Sequence, residues 1–352
     1  MPAGSLNLSD STAVQSTRMF REAAESADAV ARQEKFAPDL KRIGAMLRAR
    51  SPSVVITCAR GSSDHAATFA KYAIETRLGI PVASAAPSVA SVYASRLRAE
   101  GAVCIAISQS GRSPDLLATI SSLKDAGACV VALANETESP LADMADELVG
   151  LAAGTERSVA ATKSFIASLA AVAWLVAEWG DDDALRRDLG QLPSLLAEAW
   201  ELDWSALVGG LQDASDLYVL GRGVGFGVAQ EAALKLKETS QLHAEPFSTA
   251  ELRHGPMALV RDGFPVLMFS QGDETGSDVG ETASGLIDRG ARVFLAGGAA
   301  SGAVPLPSIR CSPLLEPILQ IQSFYRAANA LAVARGLDPD RPPHLAKVTE
   351  TR

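Results

Sequence analysis

Aromatic residues make up only 5% of this 352-residue chain, and it carries just four cysteines and four histidines. With so few rings, its cores must be built from Ala, Val, Leu and Ile, which a hydrophobic content of 47% supplies. Cys58, Cys104, Cys129 and Cys311 show no Cys-x-x-Cys spacing, and three of them sit in apolar runs that read as buried strands. Reduced structural thiols in a cytoplasmic setting are expected. His65, His243, His254 and His344 stand far apart without His-x-x-x-His pairing, so neither a tight metal site nor a cofactor is expected. Positive charge is short as well. A net charge of -9 excludes a nucleic-acid or anionic-membrane partner, because no basic stripe compensates phosphate charge. The longest apolar stretch, Phe165 to Ala177, falls short of the roughly 20 residues that cross a bilayer and reads as a buried helix. The first ten residues show no basic region followed by an apolar one, so no secretory signal is expected.

What the chain does have is alternation. At this length two domains are the default, and short Val/Ile-rich runs, each followed by a Gly/Ser turn and a helical pattern, read as βαβ units. Val54–Cys58 runs into Arg60-Gly-Ser-Ser63 and a helix from about Ala66 to Leu78; Val103–Ile107 runs into Ser108-Gln-Ser-Gly111 and a helix opened by Pro114-Asp115; Val130–Leu133 and Glu147–Gly150 follow. The order then recurs. Arg60-Gly61 matches Arg222-Gly223 and Ser108-Gln109 matches Ser270-Gln271, both displaced by 162 (223 − 61; 270 − 108). Gly127-Ala128 matches Gly290-Ala291, displaced by 163 (290 − 127). These matches imply a tandem duplication of one α/β domain, each copy a parallel sheet flanked by helices on both faces, with ligands beyond the carboxyl ends of the strands. The boundaries expected are 1–34 for an N-terminal helical segment, 35–180 for the first domain, 181–204 for a linker helix and 205–352 for the second domain with its tail.

The densest ionisable stretch lies between Gln230 and Pro256. Glu231, Lys235 and Glu238 stand at i, i+4 and i+7 and share one helix face. The plain alternative is an exposed helix with a Glu-to-Lys pair worth about 0.2–0.5 kcal/mol. His254 precedes Gly-Pro, a rigid turn, and its ordinary titration range suits proton transfer at neutral pH. In Ser108-Gln-Ser-Gly-Arg-Ser-Pro-Asp115, hydroxyls and free N–H groups meet at a helix start and suit a phosphate, the plain alternative being N-capping by Ser110 or Ser113. Ser62-Ser63 is a weaker signal of that kind. Thr155 to Lys163 reads either as a lid or as a solvated loop, and the apolar neighbours of Lys347 leave room for a desolvated amine.

These motifs, in this order, resemble the tandem sugar-isomerase (SIS) half of glucosamine-6-phosphate synthase. Arg60-Gly-Ser-Ser63, Ser108-Gln-Ser-Gly111, Ala153-Gly-Thr-Glu156, Ala161-Thr-Lys-Ser-Phe165, Glu231 to Glu238, His243-Ala-Glu245, Glu251 to Pro256 and Leu345-Ala-Lys347 carry the likeness, from about residue 35 onward. The resemblance implies a phosphosugar enzyme. Ser108, Gln109, Ser110 and Ser113 would hold phosphate, with Ser62, Ser63, Val159 and Ala161 lining the sugar. Glu238 would move a proton between C1 and C2, and Lys235 would assist near O1. His254 would open the ring from a neighbouring subunit of a homodimer, and Lys347 would contact the open-chain sugar or form a Schiff base with it. Ala161 stands where the synthase pattern has serine, Arg112 where it commonly has Glu, and no glutaminase region precedes the motifs. The expected reaction is therefore glucosamine-6-phosphate deamination. The alternatives are isomerase or deglycase chemistry on another amino-sugar or fructosamine phosphate, ammonia-dependent synthesis, or a non-catalytic sugar-phosphate sensor.

Overall fold

A computed structural model describes residues 12–347. The opening ten residues, read above for a signal, and the tail Val348–Arg352 lie outside the described residues. Two compact units form, each with one parallel five-stranded sheet. One unit holds residues 26–156, 163–193 and 346–347, and the other holds 12–25, 157–162 and 194–345.

In the first sheet the strands are β1 (Val55–Cys58), β2 (Val82–Ser84), β3 (Val103–Ser108), β4 (Cys129–Ala134) and β5 (Glu147–Gly150), ordered β2-β1-β3-β4-β5. The central pair β3 and β4 is buried at every position, as unbroken apolar runs between two helix layers must be. Val103 pairs with Cys129 and Ser108 with Ala134, which fixes where the turn after β3 emerges. The helix Lys163–Gly180 packs against the helices Ala37–Arg50 and Ser62–Leu78. It is buried on nearly all sides, so its long apolar stretch belongs to a core. Among the described residues no helix is long and apolar enough to cross a membrane.

The second sheet comprises β6 (Asp216–Gly221), β7 (His243–Ser248), β8 (Pro265–Phe269), β9 (Arg292–Ala296) and β10 (Val304–Leu306), ordered β10-β9-β8-β6-β7. Numbered from its own first strand this is again 2-1-3-4-5, so the repeats seen in sequence fall at equivalent places. In this unit the helix Glu316–Ala334 packs against Gly225–Ser240 and Arg18–Ala24. Its Asn329 accepts from the Thr17 hydroxyl at 2.7 Å and donates to the Val14 carbonyl at 3.0 Å. The backbone N–H of Met19 donates to Asp340 at 2.9 Å. The linker helix expected over 181–204 is one long helix, Asp183–Glu201, which runs through Pro193.

Candidate functional site

The helix Gly225–Ser240 brings Glu231, Lys235 and Glu238 together as its period requires. The Lys235 ammonium lies 2.5 Å from Glu238 Oε2 and 3.4 Å from Glu231 Oε1. The Glu231 and Lys235 side chains are 0% and 1% exposed, while Glu238 is 17% exposed. This excludes the exposed surface pair. Tyr325, itself buried, donates its hydroxyl to Glu231 Oε1 at 3.2 Å. Burial alone drives the lysine toward its neutral form, but the charges of Glu231 and Glu238 outweigh it and raise the Lys235 pKa above its ordinary value. The cluster is thus a fixed ammonium between two carboxylates, only one of which reaches solvent.

His254 lies in the same unit, exposed on the turn after the short helix Thr249–Leu252, with its N–H donating to the Glu251 carbonyl at 2.9 Å. Gly255 follows with φ +143°, a backbone state that L side chains rarely adopt, so the turn calls for glycine there. Among the described residues no hydrogen bond or ion pair joins His254 to Glu238. Lys347 departs from expectation. Its neighbours Leu345 and Ala346 are exposed, and its ammonium meets a charge: the fully buried carboxylate of Glu156, at 3.3 Å. Glu156 also accepts from the Ser164 hydroxyl at 2.5 Å and from the Ser164 N–H at 3.2 Å.

The turn after β3 is built by Ser108, whose buried hydroxyl accepts the Gly111 N–H at 3.0 Å and closes the loop. Gly111 has φ +63°, and an added Cβ would sit 2.3 Å from the Ser139 hydroxyl, so only glycine fits. Gln109, Ser110 and Ser113 are half-buried. Ser113 occupies the N-cap of the helix Pro114–Asp125, yet its side chain bonds to no helix N–H. Plain capping by Ser113 therefore does not account for that hydroxyl. Ser62 and Ser63 open the helix after β1, also half-buried. The matching turn of the second sheet is filled by its own side chains. There Gln271 donates to Asp273 Oδ2 at 3.0 Å and to Thr275 at 2.8 Å, and Asp273 accepts the Thr275 N–H at 2.9 Å. A carboxylate of the chain thus already accepts an N–H at the start of the helix Gly276–Ile287.

The segment from Thr155 to Thr162 has no regular structure, but Glu156, Ser158, Ala160 and Thr162 are buried, so it is no solvated loop. Val159 and Ala161 are half-buried within it. Glu22, far away in sequence, accepts the N–H groups of Arg157 at 2.6 Å and Ser158 at 2.9 Å. Sequence reasoning singled out neither Glu22 nor Tyr325, and it gave Glu156 no role. Each acts through a partner more than 90 residues away, and no local spacing announces that. Among the described residues no group of three or more His, Cys, Asp or Glu is arranged to hold a metal ion.

Residues 50–178 and 210–296 match the family model for the SIS domain. The glutamine–fructose-6-phosphate aminotransferase (isomerizing) of Pyrobaculum aerophilum is 36% identical over 319 residues, 86% of this chain and 52% of its own. That of Sulfurisphaera tokodaii is 32% identical over 308 residues, 83% and 49% of the two chains. The chain spans about half the length of these curated relatives. A crystal structure assigned as a phosphosugar isomerase from Silicibacter pomeroyi DSS-3 is 47% identical, with a TM-score of 0.89 over 92% of this chain and 100% of that one. Glucosamine-6-phosphate deaminase from Thermotoga maritima shares the fold at 24% identity and a TM-score of 0.77, covering 95% and 100% of the two chains.

Proposed function

Because the chain belongs to the SIS-domain family, we propose that it is a phosphosugar aldose–ketose isomerase working as a deaminase, converting glucosamine 6-phosphate and water to fructose 6-phosphate and ammonia. The observation that carries this reading is the buried Glu231–Lys235–Glu238 cluster, with Glu238 alone reaching solvent. A structural role gives little reason to bury an ammonium between two carboxylates, since apolar residues of similar volume are often as stable there. Proton transfer at carbon needs such an arrangement.

The chemistry proceeds in balanced steps. His254 opens the sugar ring, exposing the C1 aldehyde. Glu238 removes the C2 proton while Lys235 steadies the negative charge developing on O1; O1 takes up a proton, the amine nitrogen gives one up, and the C2 proton returns at C1. The C2 imine that results is hydrolysed by water, releasing ammonia and leaving the ketone. Ser108, Gln109, Ser110 and Ser113 hold the phosphate, Ser62, Ser63, Val159 and Ala161 line the sugar, and Lys347, aligned by Glu156, contacts the open chain. His254 lies exposed on its turn, which suits service in a second copy's site, so we read the enzyme as a homodimer.

Ala161 favours a second reading, an isomerase or deglycase for another amino-sugar or fructosamine phosphate, because it offers the sugar no hydroxyl. Ammonia release across a panel of amino-sugar phosphates, run in both directions, tests both. Release from glucosamine 6-phosphate above all others supports the deaminase. Release from none of them, with fructose 6-phosphate bound but unchanged, would leave a sugar-phosphate sensor.

A further inference from the structure

The first sheet reverses its strand order between β1 and β3, and ligands enter open parallel sheets beyond the strand ends at such a point. Two helices begin there, Ser62–Leu78 after β1 and Pro114–Asp125 after β3. One ion pair ties the two turns together. Arg60, just past β1, donates to Asp115 Oδ2 from Nε at 2.8 Å, and its Nη2 lies 2.6 Å from the same oxygen in an ion pair. The Asp115 carboxylate is 0% exposed, and its Oδ1 accepts the Leu116 N–H at 2.8 Å. The Arg60 side chain is 47% exposed.

A guanidinium carries more N–H donors than one carboxylate oxygen can use. Asp115 takes the Nε/Nη2 edge, and among the described residues no hydrogen bond engages Nη1. The half-exposed remainder of the group therefore stays available to a ligand at the turn. Electrostatics point the same way. A phosphate dianion entering this crevice meets the buried negative charge of Asp115, and the chain as a whole carries -9. Hydroxyls and N–H groups alone do not cancel those charges, whereas an arginine pinned by one edge does and offers phosphate its other donors. The arginine of the loop itself is engaged elsewhere: Arg112 Nη2 donates to the Glu138 carbonyl at 3.2 Å.

We infer that Arg60 is the cationic ligand of the substrate's phosphate group, held by Asp115 so that its free donors face the turn between Ser108 and Ser113. This assignment rests on reading that turn as the phosphate loop. It adds a residue the sequence motifs left without a role, and it makes the site selective for phosphorylated over neutral sugars.

The test is calorimetric binding of fructose 6-phosphate, and of fructose as the neutral control, to the full chain. Arg60→Ala should weaken fructose 6-phosphate binding on the order of ten- to hundredfold, the usual range for a lost hydrogen bond to a charged group, and leave fructose unaffected. Because Arg60→Ala strands a buried carboxylate, Arg60→Ala/Asp115→Asn is measured beside it, with circular dichroism to verify folding. A merely structural Arg60 predicts that this double variant binds as the wild type does, and that result overturns the assignment. Arg112→Ala should change binding less than about threefold. A loss equal to that of Arg60→Ala would mean bulk charge alone and overturns the assignment too. Ser110→Ala and Ser113→Ala separate the two levels. If they weaken binding while the double variant does not, Arg60 alone is wrong; if neither they nor the arginine variants matter, the phosphate loop itself falls.

Discussion

Lys235 and Glu238 form a 2.5 Å ion pair in which the lysine side chain is 1% exposed and the glutamate 17%. The cation is sealed in, and the carboxylate stands at the boundary with solvent. A base that must meet a carbon-bound proton while holding one geometry needs this asymmetry.

Replacing Glu238 by Gln keeps its shape and removes its basicity. Steady-state kinetics should show kcat lowered on the order of 10²–10⁴-fold, with substrate affinity nearly unchanged. Unaltered turnover would eliminate Glu238 as the proton carrier.

Lys235→Met leaves Glu231 buried beside Tyr325 without its cation and should cost about 3–5 kcal/mol in urea unfolding. The pH dependence has a definite sign. The folded-state pKa of Lys235 is raised, so the pair's contribution is fully present below the ordinary lysine value near 10.5 and fades only as pH rises through the higher folded value. The stability gap between wild type and Lys235→Met should stay flat from about pH 6 to 9 and narrow beyond. A gap that already closes between pH 7 and 9 contradicts the raised value.

Three thiols should be inert in the native protein. Burial pushes Cys58 up to about 12, with the charge of Asp115 adding to it, and also raises Cys104 and Cys129. A disulfide reagent at neutral pH should titrate these three only after denaturation, because the thiolate is the reactive form. Fast native labelling of Cys104 would show that its strand opens far more readily than a central strand should.

A shared site predicts complementation. Glu238→Gln and His254→Ala, each inactive alone, should regain activity when mixed under conditions that let subunits exchange. One of the two sites in each mixed dimer then has an intact Glu238 and an intact His254. No recovery despite demonstrated exchange would leave His254 acting within its own chain.

The central strand β3 was legible because parallel strands buried on both faces are unbroken apolar runs: Val103–Ile107 was expected and β3 is Val103–Ser108. The half-buried edge strand β5 also matches its expected span Glu147–Gly150, whereas β2 and β10, three residues each, were too short to be read. Periodicity likewise placed Glu231, Lys235 and Glu238 on one face. It said nothing of burial, because the Tyr325 that covers Glu231 arrives from a helix 94 positions away. The surroundings of Lys347 were hidden for the same reason. Its local neighbours are apolar, but the partner that sets its environment is Glu156, 191 positions earlier. Helix starts erred by a few residues, as at Ser62 against the expected Ala66, because a polar first turn hides the apolar period.

The bond from Thr17 to Asn329 spans 312 positions. During synthesis at about 5–20 residues per second, Thr17 leaves the ribosome roughly 15–60 s before the residue that receives its hydroxyl exists. Meanwhile β1 to β5 can assemble, since every strand of that sheet lies before residue 151. The helix Arg18–Ala24 thus finds its place only after the helix Glu316–Ala334 has been made. For that interval the apolar side chains of Val14 and Met19, both buried in the finished fold, lack the helix Glu316–Ala334.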